Sequence, residues 1–271
     1  MFAYAPFSQW WITLIVFPLW LNKIKSTPSK LALKHGFYFG LGWFLSGLSW
    51  VYVCIDQFGG TPLVVSLFIM LLLAAYLALF PAFACYISTK FHKENKLNIF
   101  LFPAAWLICE WIRANFLTGF PWLSIGYSQV DGPLAALAPV IGEVGISFFI
   151  IVISVLTVQF FQQSHRLKVV ASFAFMFSLL LWCHFQQWGI PTGETVNTAL
   201  VQGNIKQDLK WDKEQEWPTM MKYLTLTKDN YDAELIIWPE SAITGIESLV
   251  TTQEYLDIAN RSAALNKSTI I

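Results

Sequence analysis

Glu240 follows directly on the run LIIWP, residues 235–239. A short apolar strand is a rigid support, Pro239 fixes the turn, and ligands of α/β sheets gather outside the carboxyl ends of the strands. A carboxylate held there, beside Trp238 and partly removed from water, has the chemistry of a general base. The plainer alternative is a surface or capping glutamate, and Ser241 and Thr244 suit the capping of a following turn. No nucleophile accompanies Glu240, because residues 189–271 contain neither Cys nor His.

A second group lies in apolar surroundings. Glu110 and Arg113 are spaced i,i+3, so a helix would place them on one face, where they can pair. Charges inside a membrane are costly and usually face protein or a water-filled cavity. One reading is a structural ion pair; the other has Arg113 holding a lipid phosphate. The four cysteines, Cys54, Cys85, Cys109 and Cys183, all sit in or beside apolar runs without CxxC spacing. They read as buried small hydrophobes, not as metal ligands or a disulfide framework.

The elements that must carry these residues follow from composition. Of the 271 residues, 56% are hydrophobic and 13% charged, against about 25% charged in an ordinary soluble domain. Mean hydropathy is +0.53. That much apolar surface excludes disorder and a water-soluble fold, and points to a polytopic membrane protein. Formal charge is balanced, 17 basic against 17 acidic residues, so no nucleic-acid partner is expected. The acidic residues are unevenly placed: five precede Gly189 and twelve follow it. An apolar two-thirds therefore precedes an ordinary polar third.

A crossing helix needs about 20 apolar residues. Candidate spans are 10–21, 32–53, 62–89, 97–117, 134–161 and 167–188, the first short and the fifth interrupted by Pro139, Gly142, Glu143 and Gly145. Gly36, Gly40, Gly42 and Gly47 suit close helix packing in the second span. Lys23, Lys25, Lys30, Lys34, Lys90, Lys93, Lys96, Arg166 and Lys168 occupy alternate connections, while 53–61 and 118–133 hold no Lys or Arg. By the positive-inside rule the basic connections face the cytoplasm and the polar third lies on the opposite side. The outer loop 118–133, with Phe120, Trp122 and Tyr127, reads as an interfacial belt or as a lateral entrance for a lipid.

Beyond the linker, 195–201 and 234–238 read as strands, 212–231 and 254–265 as helices, and 268–271 as the start of a third strand. The helical spacing predicts a buried stripe of Trp217, Met220, Met221, Leu224 and Thr227. Strand, helix, strand, helix, strand implies a largely parallel α/β layer.

These residues also resemble a known family. LVQGNIKQDLKWD (200–212) and LIIWPESAI (235–243) are similar to the start of the nitrilase-like domain of the apolipoprotein N-acyltransferases. WVYV and FGG (50–53, 58–60), LTGFPWLSIGYSQVDGPL (117–134) and LAP (137–139) resemble the membrane part of the same family. The resemblance implies a polytopic α-helical membrane domain (1–189), a linker (190–194) and an incomplete α/β domain of the nitrilase-like α-β-β-α sandwich type (195–271).

It further implies a multi-pass enzyme of the bacterial inner membrane with its nitrilase-like domain on the periplasmic side. Such an enzyme transfers an acyl chain from a phospholipid to the N-terminal amine of a diacylglyceryl-cysteine lipoprotein, through a Glu–Lys–Cys triad and a thioester. Glu240 matches the triad Glu, and Trp211 the Trp of a mobile arm over the lipid-facing site. No metal or diffusible cofactor is implied, and a monomer is expected. The family's Lys and Cys lie farther downstream than Ile271, and an additional span precedes its matching first residues. The sequence therefore reads as an incomplete copy, expected to be inactive alone. The alternatives are a membrane transporter or scaffold with an external binding domain, and a membrane-anchored nitrilase-type amidase.

Overall fold

The computed structural model describes residues 1–91, 98–162, 166–245 and 250–271. The chain divides into two compact units, Met1–Trp188 and Gly189–Ile271. Lys93 and Lys96, two of the basic residues used to orient the chain, lie outside the described residues, as does Leu97.

The first unit is helical. Its helices are α1 (Trp11–Ile24), α2 (Ser29–Gly47), α3 (Val51–Val53, continued by a π turn over Cys54–Phe58), α4 (Leu63–Lys90), α5 (Leu101–Asn115), α6 (Ala138–Phe161) and α7 (Arg166–His184). Three stretches among the described residues are long and apolar enough to cross a membrane: Leu63–Lys90, Pro133–Phe161 and Arg166–His184. A fourth is added if Ser29–Gly47 and Val51–Phe58, which meet at a 57° bend, form one broken span. The chain is thus a membrane protein. With 14 and 15 residues, α1 and α5 reach only about 21–23 Å at 1.5 Å per residue, short of a hydrocarbon core of about 30 Å. The interruption expected in the fifth span falls at Gly142, whose φ of 63° and ψ of −174° break the helical path inside α6.

Small residues set the crossing of α2 on α4. A Cβ on Gly36 would stand 2.7 Å from Ala82 Cα, and one on Gly40 2.5 Å from the Pro81 ring. Gly42 has open space around it, so it takes no part in this contact. Beside this crossing, Phe17, Trp20, Phe39, Trp43, Phe102 and Trp106 interlock by edge and stacked contacts with centroids 4.1–6.3 Å apart. Such contacts add about 0.5–1.5 kcal/mol per pair beyond the area they bury.

The second unit contains β1 (Thr198–Leu200), α8 (Lys213–Lys228), β2 (Leu235–Ile237), α9 (Val250–Leu265) and β3 (Thr269–Ile270). The sheet is parallel in the order β1-β2-β3, with Ala199 opposite Ile236 and Ile236 opposite Ile270. Ile236 is fully buried, against Val201, Tyr223 and Ala233. The buried face of α8 comprises Thr219, Met220, Tyr223, Leu224 and Thr227. Trp217 and Met221, expected in that stripe, are exposed at 61% and 39%: Thr219 and Tyr223 take their places, so the buried arc is turned from the one that side-chain size suggests.

Candidate functional site at the carboxyl end of the central strand

β2 is the central strand, and both neighbours run parallel to it. The segments leaving β1 and β2 therefore emerge at the same carboxyl edge. Trp238 closes β2: its N–H donates to Ile271 O at 2.9 Å, and its indole Nε1–H donates to Thr227 Oγ1 at 2.9 Å. Its ring lies 5.6 Å from Tyr223 and 6.3 Å from Tyr255. Held on three sides, Trp238 anchors the turn that follows.

That turn is closed by Ala242 N–H donating to Pro239 O at 3.1 Å. Ser241 adopts φ 54°, in the left-handed region, and Ala242 is buried again. Glu240 thus stands at the tip of a tight turn between two fixed points. It is exposed; the partial desolvation expected from Trp238 is not found, because the indole turns inward to Thr227. Lys210, which the sequence reading passed over, is half-buried and places its Nζ 3.4 Å from the Glu240 carbonyl oxygen. No spacing signal marks it, since the contact joins two loops 30 residues apart.

Trp211 belongs to the β1–α8 connection at this same edge and is 64% exposed. Its neighbour Asp212 is the N-cap of α8, accepting from Glu214 N at 3.0 Å. An Asp at the N-cap typically stabilises a helix by about 1 kcal/mol, so the Asp of the KWD run fixes the point at which the Trp211-bearing segment ends.

In the first unit, Arg113 and Glu110 are both buried and pair at 3.4 Å. The main partners of Arg113 are backbone carbonyls: Nη1 donates to Phe120 O at 2.7 Å and to Trp122 O at 2.6 Å. Its guanidinium also lies 5.6 Å from the Phe44 ring centroid. Glu110 Oε1 accepts from Ile125 N at 3.1 Å. Nearby, Ser124 donates to Glu143 and contacts Ser147 Oγ at 3.2 Å, while Gly126 N donates to Ser147 Oγ at 2.9 Å. Buried charges near membrane depth pair with one another and with carbonyls. Arg113 accordingly turns toward the 118–133 loop and fastens it at two carbonyls.

The loop so fastened borders a cavity of about 760 Å³ lined by Leu48, Trp50, Pro121, Trp122, Leu123 and Tyr127, among others. Trp50 and Trp122 meet edge to face at 6.1 Å, and both are about half exposed. The arrangement suits apolar guests.

Comparison with known proteins agrees with both units. Residues 1–156 match the model of the apolipoprotein N-acyltransferase N-terminal domain, and residues 197–270 that of carbon-nitrogen hydrolases. The chain is 44% identical to the apolipoprotein N-acyltransferase of Shewanella oneidensis over 99% of its own length and 52% of the relative's. The corresponding figures are 39%, 99% and 53% for Vibrio parahaemolyticus, and 33%, 100% and 55% for Pseudomonas putida. The chain thus spans about half the length of the curated relatives it matches. With more than half of its residues in the matched membrane domain, and a carbon-nitrogen hydrolase segment following, the chain belongs to the apolipoprotein N-acyltransferase family.

Proposed function

We propose that this chain supplies the membrane unit and the base-bearing strand of an N-acyltransferase of lipoprotein maturation. The reaction moves an acyl chain from a phospholipid to the N-terminal amine of a diacylglyceryl-cysteine lipoprotein. The observation that carries this reading is the position of Glu240. It stands at the tip of a turn fixed by Trp238 and Ala242, at the carboxyl edge of a parallel sheet, within the residues that match carbon-nitrogen hydrolases.

In this reading Glu240 is the general base of the Glu–Lys–Cys triad. It takes the proton of the thiol as the thiol attacks the phospholipid ester and delivers it to the departing oxygen, which forms the thioester, releases the lysophospholipid as an alcohol and restores the carboxylate. It then takes a proton from the lipoprotein amine as the amine attacks the thioester and returns it to the departing sulfur, which leaves the amide and the free thiol. Splitting the transfer this way means that two bulky lipids need not occupy the site together. Trp211, exposed on the neighbouring segment at the same edge, contacts the lipid substrate. Arg113 acts at one remove, by holding the outer loop through the Phe120 and Trp122 carbonyls.

Residues 1–189 form the multi-span membrane domain, 190–194 the linker, and 195–271 the nitrilase-like part, on the periplasmic face of the inner membrane. The protein works as a monomer. The apolar cavity beside Trp50 and Trp122 and the exposed Trp211 favour lipid chemistry over the hydrolysis of a small amide.

The test joins residues 1–271 to the following half of the Shewanella oneidensis relative, in a strain depleted of its own enzyme. Mass spectrometry of a lipoprotein N-terminus should find the third acyl chain, and Glu240→Gln should lower its formation at least 100-fold. Undiminished acylation by the Gln variant would remove Glu240 from the mechanism.

A further inference from the structure

We propose that the first unit holds one structural water between Trp106 and Glu110 of α5. The two side chains lie four residues apart on one face of the helix, and both are buried. Each carries one buried atom without a hydrogen-bond partner, the indole Nε1 of Trp106 and the carboxylate Oε2 of Glu110. Both residues line the same small cavity, which Trp43, Phe44, Phe80, Pro81, Cys109 and the Arg113 side chain help to wall.

The cavity measures about 10 Å³, close to the least that admits a single water. The chemistry of its polar groups is complementary, since an indole N–H only donates and an ionised carboxylate only accepts. A water accepting from Trp106 and donating to Glu110 satisfies both atoms, whereas leaving them buried and bare is unfavourable. The other carboxylate oxygen of Glu110 is already engaged by Ile125 N and Arg113 Nη2. The water therefore completes a continuous hydrogen-bonded path from the outer loop to the aromatic cluster of Trp106, Trp43 and Phe17.

The experiment uses the full chain, labelled with ¹⁵N at the tryptophan indoles, in lipid nanodiscs. The Trp106 resonance is identified by its loss in Trp106→Phe. Trp20, whose buried Nε1 is also unpartnered but which does not line this cavity, serves as the internal control. The Trp106 N–H is expected to show a cross-relaxation peak to a long-lived water, and the Trp20 N–H none. Cys109→Leu, which fills the cavity, should abolish the peak; Cys109→Ala, which enlarges it, should keep it. The remaining indole resonances report whether each variant has folded. The proposal is overturned if wild-type Trp106 gives no water peak, if Trp20 gives an equal one, or if the peak survives unchanged in folded Cys109→Leu.

Discussion

Arg113 donates to the carbonyl oxygen of Trp122 at 2.6 Å, so a charge on α5 governs the backbone of the loop that presents an exposed indole. The same Nη1 reaches Phe120 O. One guanidinium thereby satisfies two loop carbonyls, and Glu110 compensates its charge. Removing one partner of a buried pair strands the other and is strongly destabilising, typically by about 3–5 kcal/mol. Arg113→Ala should therefore lower the unfolding free energy of the detergent-solubilised chain by an amount in that range, read from its denaturant unfolding curve. Arg113→Lys keeps the charge but lacks the planar fork and should fall between. Arg113→Ala as stable as wild type would show that the clamp contributes little.

The α2–α4 crossing provides a matched pair of glycine substitutions. Gly40→Val drives a side chain into Pro81 and Ala78, and overpacking of this kind costs about 1–3 kcal/mol. Gly42→Ala meets nothing within 4 Å and should be neutral or stabilising by up to about 1 kcal/mol, since Ala is the better helix former. Thermal unfolding followed by tryptophan emission distinguishes them. Equal effects at the two positions would contradict the crossing.

Tyr255 gives the second unit an alkaline limit. Burial pushes its hydroxyl up to about 12 from 10.0, and in the neutral form it donates to Met220 O at 2.6 Å. The folded state thus holds this proton more tightly than the unfolded state. The stabilisation is present in full below pH 10 and is lost as pH rises toward 12. Urea unfolding of the full chain between pH 9 and 12 should show a steeper loss in wild type than in Tyr255→Phe. The variant starts about 1 kcal/mol less stable from the lost hydrogen bond. Parallel pH curves for the two proteins would rule this out.

Glu240 and Trp238 should separate chemistry from stability. Glu240 is exposed, so Glu240→Gln should change unfolding free energy by less than about 0.5 kcal/mol while suppressing acyl transfer in the joined protein. Trp238→Phe keeps most of the packing but strands the fully buried Thr227 hydroxyl, at a cost of about 1–3 kcal/mol. A Glu240→Gln variant that unfolds more readily than Trp238→Phe would mean that the carboxylate has a structural duty.

The parallel order of the second unit was legible because its strands are short apolar runs punctuated by Gly, Pro and Asn, and its helices lie between them. The face of α8 was less so. Trp217 and Met221 are the larger apolar residues, yet Thr219 and Tyr223 are the buried ones. The buried arc is set by partners distant in sequence, Ile236 against Tyr223, and Tyr255 with Ala259 against Met220 and Leu224, which local periodicity does not encode. Glu240 could be found from its position after a strand, but Lys210 could not, since its contact is to a backbone carbonyl. The same holds for Arg113: an i,i+3 carboxylate is visible in a sequence, whereas the carbonyls of Phe120 and Trp122 carry no side-chain signature. The ends of α5 were also hidden. The helix gives way to Leu117 and Thr118 at φ 52° and 72°, conformations that neither residue type announces.

The main-chain bond from Trp238 N–H to Ile271 O has a consequence for biosynthesis. Its two ends are 33 positions apart, and the β3 pairing that accompanies it bridges a similar interval. The Glu240 turn therefore cannot reach its final geometry while the ribosome is still polymerising α9. It is locked only after Ile271 has cleared the exit tunnel. Until then the β2 edge is unpaired on one side and open to mispairing. A chaperone that shields strand edges during synthesis would have its window of action there.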